Sequence, residues 1–278
     1  MLIKKAIIPV AGWGTRRLPI TKIIEKSMLP VGNRPLVDYS VQELISAGVT
    51  DIYMVISNVE PCQVREFYKD NIALNQYLEA RGKTDRLKLA KTLPDHVKIH
   101  YISQDPSGKY GTAVPVAMVT EDYNLNEPVL CFMGDDFIWN PGGESASESL
   151  LKAVQSATDS ALLGVEIPRE EVEKYGVFRV EGDMLKEVVE KPKPADAPSN
   201  LINPSKYILS PALLQEIVKY VHDNNFGPKD QEYMITDPIM SYIKHGGVMR
   251  VARTTGQYLD GGSLEGWVHA NDVVCGTK

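Results

Sequence analysis

Arg16, Arg17, Lys22 and Lys26 fall within eleven residues, with Glu25 the one acid among them. That density of cations suits a polyphosphate whose negative charge grows during group transfer, because preorganised charged donors are strongest where charge develops. Just upstream, Gly12 and Gly14 follow the apolar run 6–10. Without side chains the chain can turn tightly there and bring its N–H groups against phosphate oxygens or a base edge. Two well-known glycine loops are set aside: Arg17 stands where a dinucleotide fingerprint has its third glycine, and no GK[ST] closes a P-loop. Asp135 and Asp136 end the apolar run in "PVLCFMGDDFIW", and Asp260 lies beside two glycines in "GQYLDGGSLEGW". A divalent cation carried on a triphosphate takes only one or two protein carboxylates, so Asp135 and Asp260 from distant segments suffice. For an isolated aspartate at a strand end a turn cap is the ordinary reading. Arg17 is expected to face water, since nothing specific directs it inward.

Residues of this kind need strand ends to hold them. Apolar β-rich runs recur at 6–10, 52–57, 97–102, 129–133 and 161–167, separated by segments of helical spacing. The stretch "PLVDYSVQELISAGV" sets Leu36, Tyr39, Val41, Leu44 and Ile45 on one helical face and stops at Gly48. The alternation predicts an α/β fold with a Rossmann-like mixed, mainly parallel sheet flanked by helices. Ligands of such sheets gather at the carboxyl ends of the strands, where Asp135 falls. Asp136, one residue on, should point to the opposite face if the strand continues through it. Residues 70–95 are polar and helix-prone and read as a solvated insertion. After Glu170, the short strands of "YGVFRV" and "LKEVVEKP" and the Pro-rich "KPKPADAPSN" are expected to form a smaller lobe laid over the edge of the first. No fixed-period repeat is visible.

With 278 residues, 43% of them hydrophobic, the chain can bury a sizeable core, and one domain over 1–278 is expected. A formal charge of −6 argues against a general nucleic-acid binder, which needs a broad basic surface. Cys62, Cys131 and Cys275 are widely spaced and odd in number, indicating neither a disulfide framework nor a structural zinc site, and a reducing cytoplasm is the expected location. No signal peptide or membrane-spanning run is read in the sequence. The five histidines form no HExxH-type helix, and serine and cysteine lack a nucleophile signature.

The segment "AGWGTRRLPITKIIEKSMLPVGNRPLVDY" closely resembles the signature GxGTRxxPxTxxxxKxMLPxxxxPLxxY of sugar-1-phosphate nucleotidylyltransferases, and its LPxTK continuation leans toward their uridylyl branch. The resemblance runs from Ala6 to Trp267. It implies the nucleotide-diphospho-sugar transferase fold, with 1–169 mainly nucleotide-binding and 170–278 mainly sugar-phosphate-binding. It further implies Mg2+-dependent uridylyl transfer from UTP to glucose 1-phosphate with release of pyrophosphate, in a homo-oligomer.

Carried over by position, Ala11, Gly12, Gly14, Thr15, Arg16, Lys26, Gln104, Gly111 and Asp135 hold the nucleotide. Gly134, Tyr175, Gly176, Glu190 and Lys191 hold the sugar phosphate, and Asp135 with Asp260 holds the metal. Arg16, Lys26, Asp135 and Lys191 are the implied catalytic set, with Asp136 a lesser contributor. Thr236 and Asp237 resemble a family segment near the sugar.

Departures from the pattern concentrate where the base is read: Ser27 replaces a carboxylate, Lys109 a glycine and Thr112 a histidine. They leave a thymidylyltransferase, or transfer to another hexose 1-phosphate, open beside the uridylyl reading. Ser205 and Lys206 stand where a Gly-Arg pair is commoner. A non-catalytic nucleotide-sugar-binding subunit is the alternative of another class, and the presence of Asp135, Asp260, Lys26 and Lys191 together argues against it.

Overall fold

Alternating apolar side chains in β1 (Lys5–Pro9) determine how the two faces of the central sheet are covered. Ile7 joins one core and Ala6 and Ile8 the other, as the two-residue period of a strand requires. The computed structural model describes residues 2–227 and 231–276. A small ribbon of β2 (Pro30–Val31) and β3 (Arg34–Pro35) leads into α1 (Leu36–Ser46), and β4 (Asp51–Ser57) follows. Leu36, Val37, Val41 and Leu44 of α1 are buried, while Tyr39 turns aside. Gly48 ends the helix at φ +90, a conformation glycine adopts freely, and the Val49 N–H returns to the Leu44 carbonyl at 3.1 Å.

The polar stretch 70–95 carries α3 (Ile72–Ala80) and α4 (Thr84–Ala90) after the short α2 (Gln63–Tyr68); of α3 and α4 only Leu78 is buried, as a solvated insertion requires. The chain continues through β5 (Lys98–Gln104), α5 (Ala113–Asp122), β6 (Val129–Phe132), β7 (Asp136–Trp139), α6 (Ala146–Ala153) and β8 (Ser160–Glu166). It then forms the antiparallel pair β9 (Gly176–Glu181) and β10 (Met184–Glu190), followed by β11 (Leu201–Ile202), β12 (Lys206–Leu209), α7 (Pro211–Asp223), α8 (Thr236–Lys244), β13 (Met249–Arg253), β14 (Gln257–Asp260) and α9 (Leu264–Cys275).

Ten strands pair in the order β11-β9-β10-β13-β8-β12-β6-β1-β4-β5. The sheet is mixed. Parallel pairing joins β5, β4, β1 and β6, and also β8 with β13, while the remaining pairs of this sheet are antiparallel. The chain after Glu170 departs from the expected lobe laid over an edge. Its strands extend the sheet, and β12 inserts between β6 and β8. The physical reason is backbone accounting: β6 is buried along its whole length, so its free side needs a strand partner rather than a covering surface. Helices α5, α7 and α8 cover one face and α1 and α6 the other. A third cluster, with Val31, Leu36, Phe137, Leu259 and Ala270 at its centre, fills the space beneath the β7–β14 ribbon and α9. Tyr39 belongs there, stacked on Phe137 at 4.1 Å.

Candidate active site

β1 and β6 are parallel neighbours, so their carboxyl ends emerge side by side. Gly134 makes that approach possible: a Cβ there would lie 2.4 Å from Val10 Cγ1. The next residue, Asp135, therefore stands beside the glycine loop. Gly14 takes φ +63, and a side chain on it would strike Lys26 Cβ at 2.9 Å. Thr21 Oγ1 donates to the Gly14 carbonyl at 2.8 Å and closes the loop. Space is open at Gly12, where an added Cβ would meet nothing within 4 Å. Ala11 is half-buried, and Thr15 and Arg16 are exposed at the rim.

Lys26 forms an ion pair with Asp135. Burial pushes the Asp135 carboxyl up, but Lys26, joined by Lys206 and Arg16, pulls it below the usual carboxylate range. Asp260 arrives from the far end of the chain because β14 pairs with β7, setting Asp260 opposite Asp136, and the Gly261 N–H donates to the Asp135 carbonyl at 2.9 Å. Gly261 has no room for a side chain, since a Cβ would lie 2.1 Å from Leu36. Asp260 accepts from the Gly262 N–H at 2.6 Å and from Ser263 Oγ at 3.1 Å. The Cβ position of Gly262 lies 3.4 Å from Lys26 Nζ and 3.7 Å from an Arg16 terminal nitrogen. Arg16, Lys26, Asp135 and Asp260 are thus gathered from three separate stretches of sequence.

Asp136 is buried and forms an ion pair with Lys206 while accepting from Tyr258 Oη at 3.2 Å. Because β6 ends at Phe132 and β7 begins at Asp136, the turn between them, not alternation along one strand, sets its side chain apart from that of Asp135. Burial raises its carboxyl, with Lys206 opposing and Asp135 adding to the rise. Tyr258 is a link that sequence reasoning missed; its ring meets Tyr175 edge-on at 5.7 Å and so joins the sugar-side segment to the carboxylates. Burial, with Asp260 next, pushes the Tyr175 hydroxyl up to about 12, so it remains protonated. Gly176 pairs with Glu190, the Lys191 N–H donates to the Tyr175 carbonyl at 3.0 Å, and Thr236 Oγ1 donates to Glu190 at 3.3 Å. Lys191 adopts φ 45, uncommon for a residue with a side chain. Asp237 is directed elsewhere, accepting from Tyr220 Oη at 2.6 Å and from Gln231.

Gln104 and Gly111 lie at the end of β5 and in the loop before α5, where Gln104 Nε2 donates to the Lys109 carbonyl at 3.2 Å. Gly111 packs so tightly that a Cβ would sit 2.4 Å from the Tyr233 nitrogen. The three departures each have their own surroundings. Lys109 donates to the Val221 and Asn224 carbonyls at the end of α7, Thr112 Oγ1 accepts from the Ile235 N–H, and the Ser27 hydroxyl is buried with no hydrogen-bond partner.

Arg17 corrects the sequence reading. It is 3% exposed and donates through one terminal nitrogen to the Gly261 carbonyl at 2.6 Å and the Ser263 carbonyl at 2.9 Å, with its guanidinium 4.9 Å from the centre of the Trp267 ring. Those carbonyls are about 245 residues away in sequence, beyond the reach of any local pattern.

Among the described residues no group of three or more His, Cys, Asp or Glu side chains converges as a metal cage. The turns that carry Asp135 and Asp260 are instead joined by the Gly261 N–H to Asp135 carbonyl bond, and two such oxygen donors would fit a hard cation that takes its other ligands from phosphate and water.

Residues 5–275 match the family model described as nucleotidyl transferase. A Pseudomonas aeruginosa protein named UTP--glucose-1-phosphate uridylyltransferase is 32% identical over 278 residues, covering 98% of this chain and 95% of that one. A solved UTP-bound UGPase from Acinetobacter baumannii superposes with a TM-score of 0.84 at 26% identity, covering 98% of this chain and 93% of that one. A UDP-glucose pyrophosphorylase complexed with UDP-glucose gives 0.80 at 28% identity, covering 99% and 100%. With the family model spanning nearly the whole chain and a relative this similar along its full length, the protein belongs to the nucleotidyl transferase family.

Proposed function

We propose that this chain is a UTP:glucose-1-phosphate uridylyltransferase that releases UDP-glucose and pyrophosphate. The observation that carries the reading is the convergence of Arg16 and Lys26 with Asp135 and Asp260 at the mouth of the glycine loop. It is supported by the name of the Pseudomonas relative and by the ligands named for the two solved neighbours, UTP and UDP-glucose.

In this reading Ala11, Gly12, Gly14, Thr15, Gln104 and Gly111 receive the nucleotide, and Arg16 and Lys26 receive its triphosphate. Gly134, Tyr175, Gly176 and Glu190 receive the hexose, and Lys191 its phosphate. An oxygen of the sugar phosphate attacks the α-phosphorus in line. The new O–P bond forms as the bond to the β-phosphate oxygen breaks, and the electron pair leaves with pyrophosphate. The attacking phosphate is already anionic at neutral pH, so no general base is needed. The protein's task is to hold two repelling anions in contact and to stabilise the charge passing to the leaving group.

Members of this family generally use divalent metal ions. Here Asp135 and Asp260 would hold Mg2+, which supplies charge neutralisation at the triphosphate oxygens when bound. A cytoplasmic location and a homo-oligomeric state complete the proposal. Cys62, Cys131 and Cys275 are unpaired, in keeping with a reducing compartment, and no helix among the described residues is long and apolar enough to cross a membrane.

The test is a pyrophosphate-release panel crossing UTP, dTTP, CTP and ATP with several sugar 1-phosphates. UTP with glucose 1-phosphate should turn over fastest. Preference for dTTP would move the assignment to thymidylyl transfer, a reading kept in view by Lys109, whose ammonium is tied to the end of α7, and by Ser27 in place of a carboxylate. Absence of pyrophosphate with every pair would make the chain a nucleotide-sugar-binding subunit.

A further inference from the structure

We infer that Arg17 is a positioning residue for Asp260, clamping the turn that presents this carboxylate to the glycine loop; the inference rests on the uridylyltransferase reading. Both oxygens of Asp260 are oriented from within residues 262–263, by the Gly262 N–H at 2.6 Å and by Ser263 Oγ at 3.1 Å. Arg17 grips the same turn on either side of Gly262, at the Gly261 and Ser263 carbonyls. The Trp267 ring backs the guanidinium, and its own indole N–H donates to the Pro30 carbonyl at 2.8 Å, which holds α9 to β2.

The clamp is held at the expense of solvation. Arg17 is almost wholly buried, yet its Nε and one terminal nitrogen have no hydrogen-bond partner among the described residues. A buried guanidinium that leaves donors unused is costly for stability alone. Its two satisfied bonds both run to the Asp260 turn, so what it secures is the placement of that turn beside Arg16 and Lys26. Arg17 immediately follows Arg16 in a single helical turn, Thr15–Arg17, so the residue at the loop mouth and the residue gripping the Asp260 turn sit on one short element.

The test compares the parent enzyme with Arg17→Ala, Arg17→Lys and Ser263→Ala. It measures kcat and KM for pyrophosphate release, Mn2+ binding followed by electron paramagnetic resonance with a non-hydrolysable UTP analogue present, and thermal melting. Arg17→Ala should lower kcat and weaken Mn2+ binding each by about 10- to 100-fold, the range for losing an outer partner of a metal ligand. KM for UTP should change much less. Arg17→Lys, which keeps a cation and one donor, should recover part of both losses, and Ser263→Ala should weaken Mn2+ in the same direction. Mn2+ affinity and kcat close to parental in Arg17→Ala would overturn the clamp, as would a raised KM for UTP with unchanged kcat, which marks a plain substrate-binding cation. If Arg17→Ala does not fold, parental Mn2+ affinity in both other variants overturns it. A parent that releases no pyrophosphate sinks the uridylyltransferase reading itself, and this is seen before any variant is compared.

Discussion

Lys206 and Asp136 form a salt bridge from which solvent is shut out, their side chains 0% and 8% exposed. Lys206 also donates to the Met133 carbonyl at 2.9 Å and the Asp136 carbonyl at 3.1 Å, so one ammonium ties β12 to the turn that carries Asp135. Lys206→Ala would remove the cation from a buried carboxylate, leaving it the Tyr258 hydroxyl, and would take a donor from the Met133 and Asp136 carbonyls; removing one partner of a buried pair costs about 3–5 kcal/mol. Urea unfolding checks this, and a loss under about 1 kcal/mol would show that the pair is not holding the turn.

Lys26→Ala, Asp135→Ala and Lys191→Ala should each stay folded and lose about a hundredfold to a thousandfold in turnover. Removing one charged contact from a preorganised site raises the barrier by roughly 3–4 kcal/mol. Initial rates of pyrophosphate release, read beside circular dichroism melts, check the set. Near-normal turnover in all three would remove the proposed roles.

Ser205 sits at φ 54, in the left-handed region. That conformation costs a residue with a Cβ about 1–2 kcal/mol, while glycine's greater freedom in the unfolded chain gives back about half of the gain. Ser205→Gly relieves this strain but also removes the Ser205 side-chain hydrogen bond to the buried Tyr207 hydroxyl, so the two effects should offset and leave stability within about 1 kcal/mol of the parent. A change in stability well beyond about 1 kcal/mol in either direction, measured by denaturant unfolding, would contradict this account.

Asp159 bonds Arg250 Nε at 2.8 Å with both side chains largely buried. Burial pushes its carboxyl up, but the Arg250 bond and the Gln155 and Ser156 donors prevail and lower it below its ordinary 3.8. A carboxyl depressed on folding contributes stability that is present above its unfolded value and lost as pH falls through the folded one. Asp159→Asn should therefore cost stability at pH 7, by about 1–3 kcal/mol, and the gap from the parent should close below pH 3.8. Denaturant unfolding from pH 6 to pH 3 measures it, and a gap independent of pH would refute the charged role of Asp159.

Much of the fold was legible because strand periodicity is local. The runs at 6–10, 52–57, 129–133 and 161–167 match β1, β4, β6 and β8 to within a residue or two, and Gly48 ends α1 where the pattern stops. Pairing was not legible in the same way. Nothing in "SKYILSP" indicates that β12 enters the sheet between β6 and β8, because which strand meets an open edge is a property of the assembled sheet. The helical-face reading likewise grouped Tyr39 with Val41 and Leu44, whereas the ring turns to Phe137, a partner 98 positions on.

Residue type and order alone determined that the glycine loop, its cations and the aspartates at 135 and 260 form one family's pattern, since each is a short run whose chemistry does not depend on distant contacts. Only the tertiary structure decided that Asp136 turns inward to Lys206, that Lys109 caps the end of α7, and that Arg17 leaves solvent for the Asp260 turn. Those outcomes depend on which buried oxygens lacked a donor once the layers had packed, and an unpaired buried oxygen comes into being only when the chain is folded.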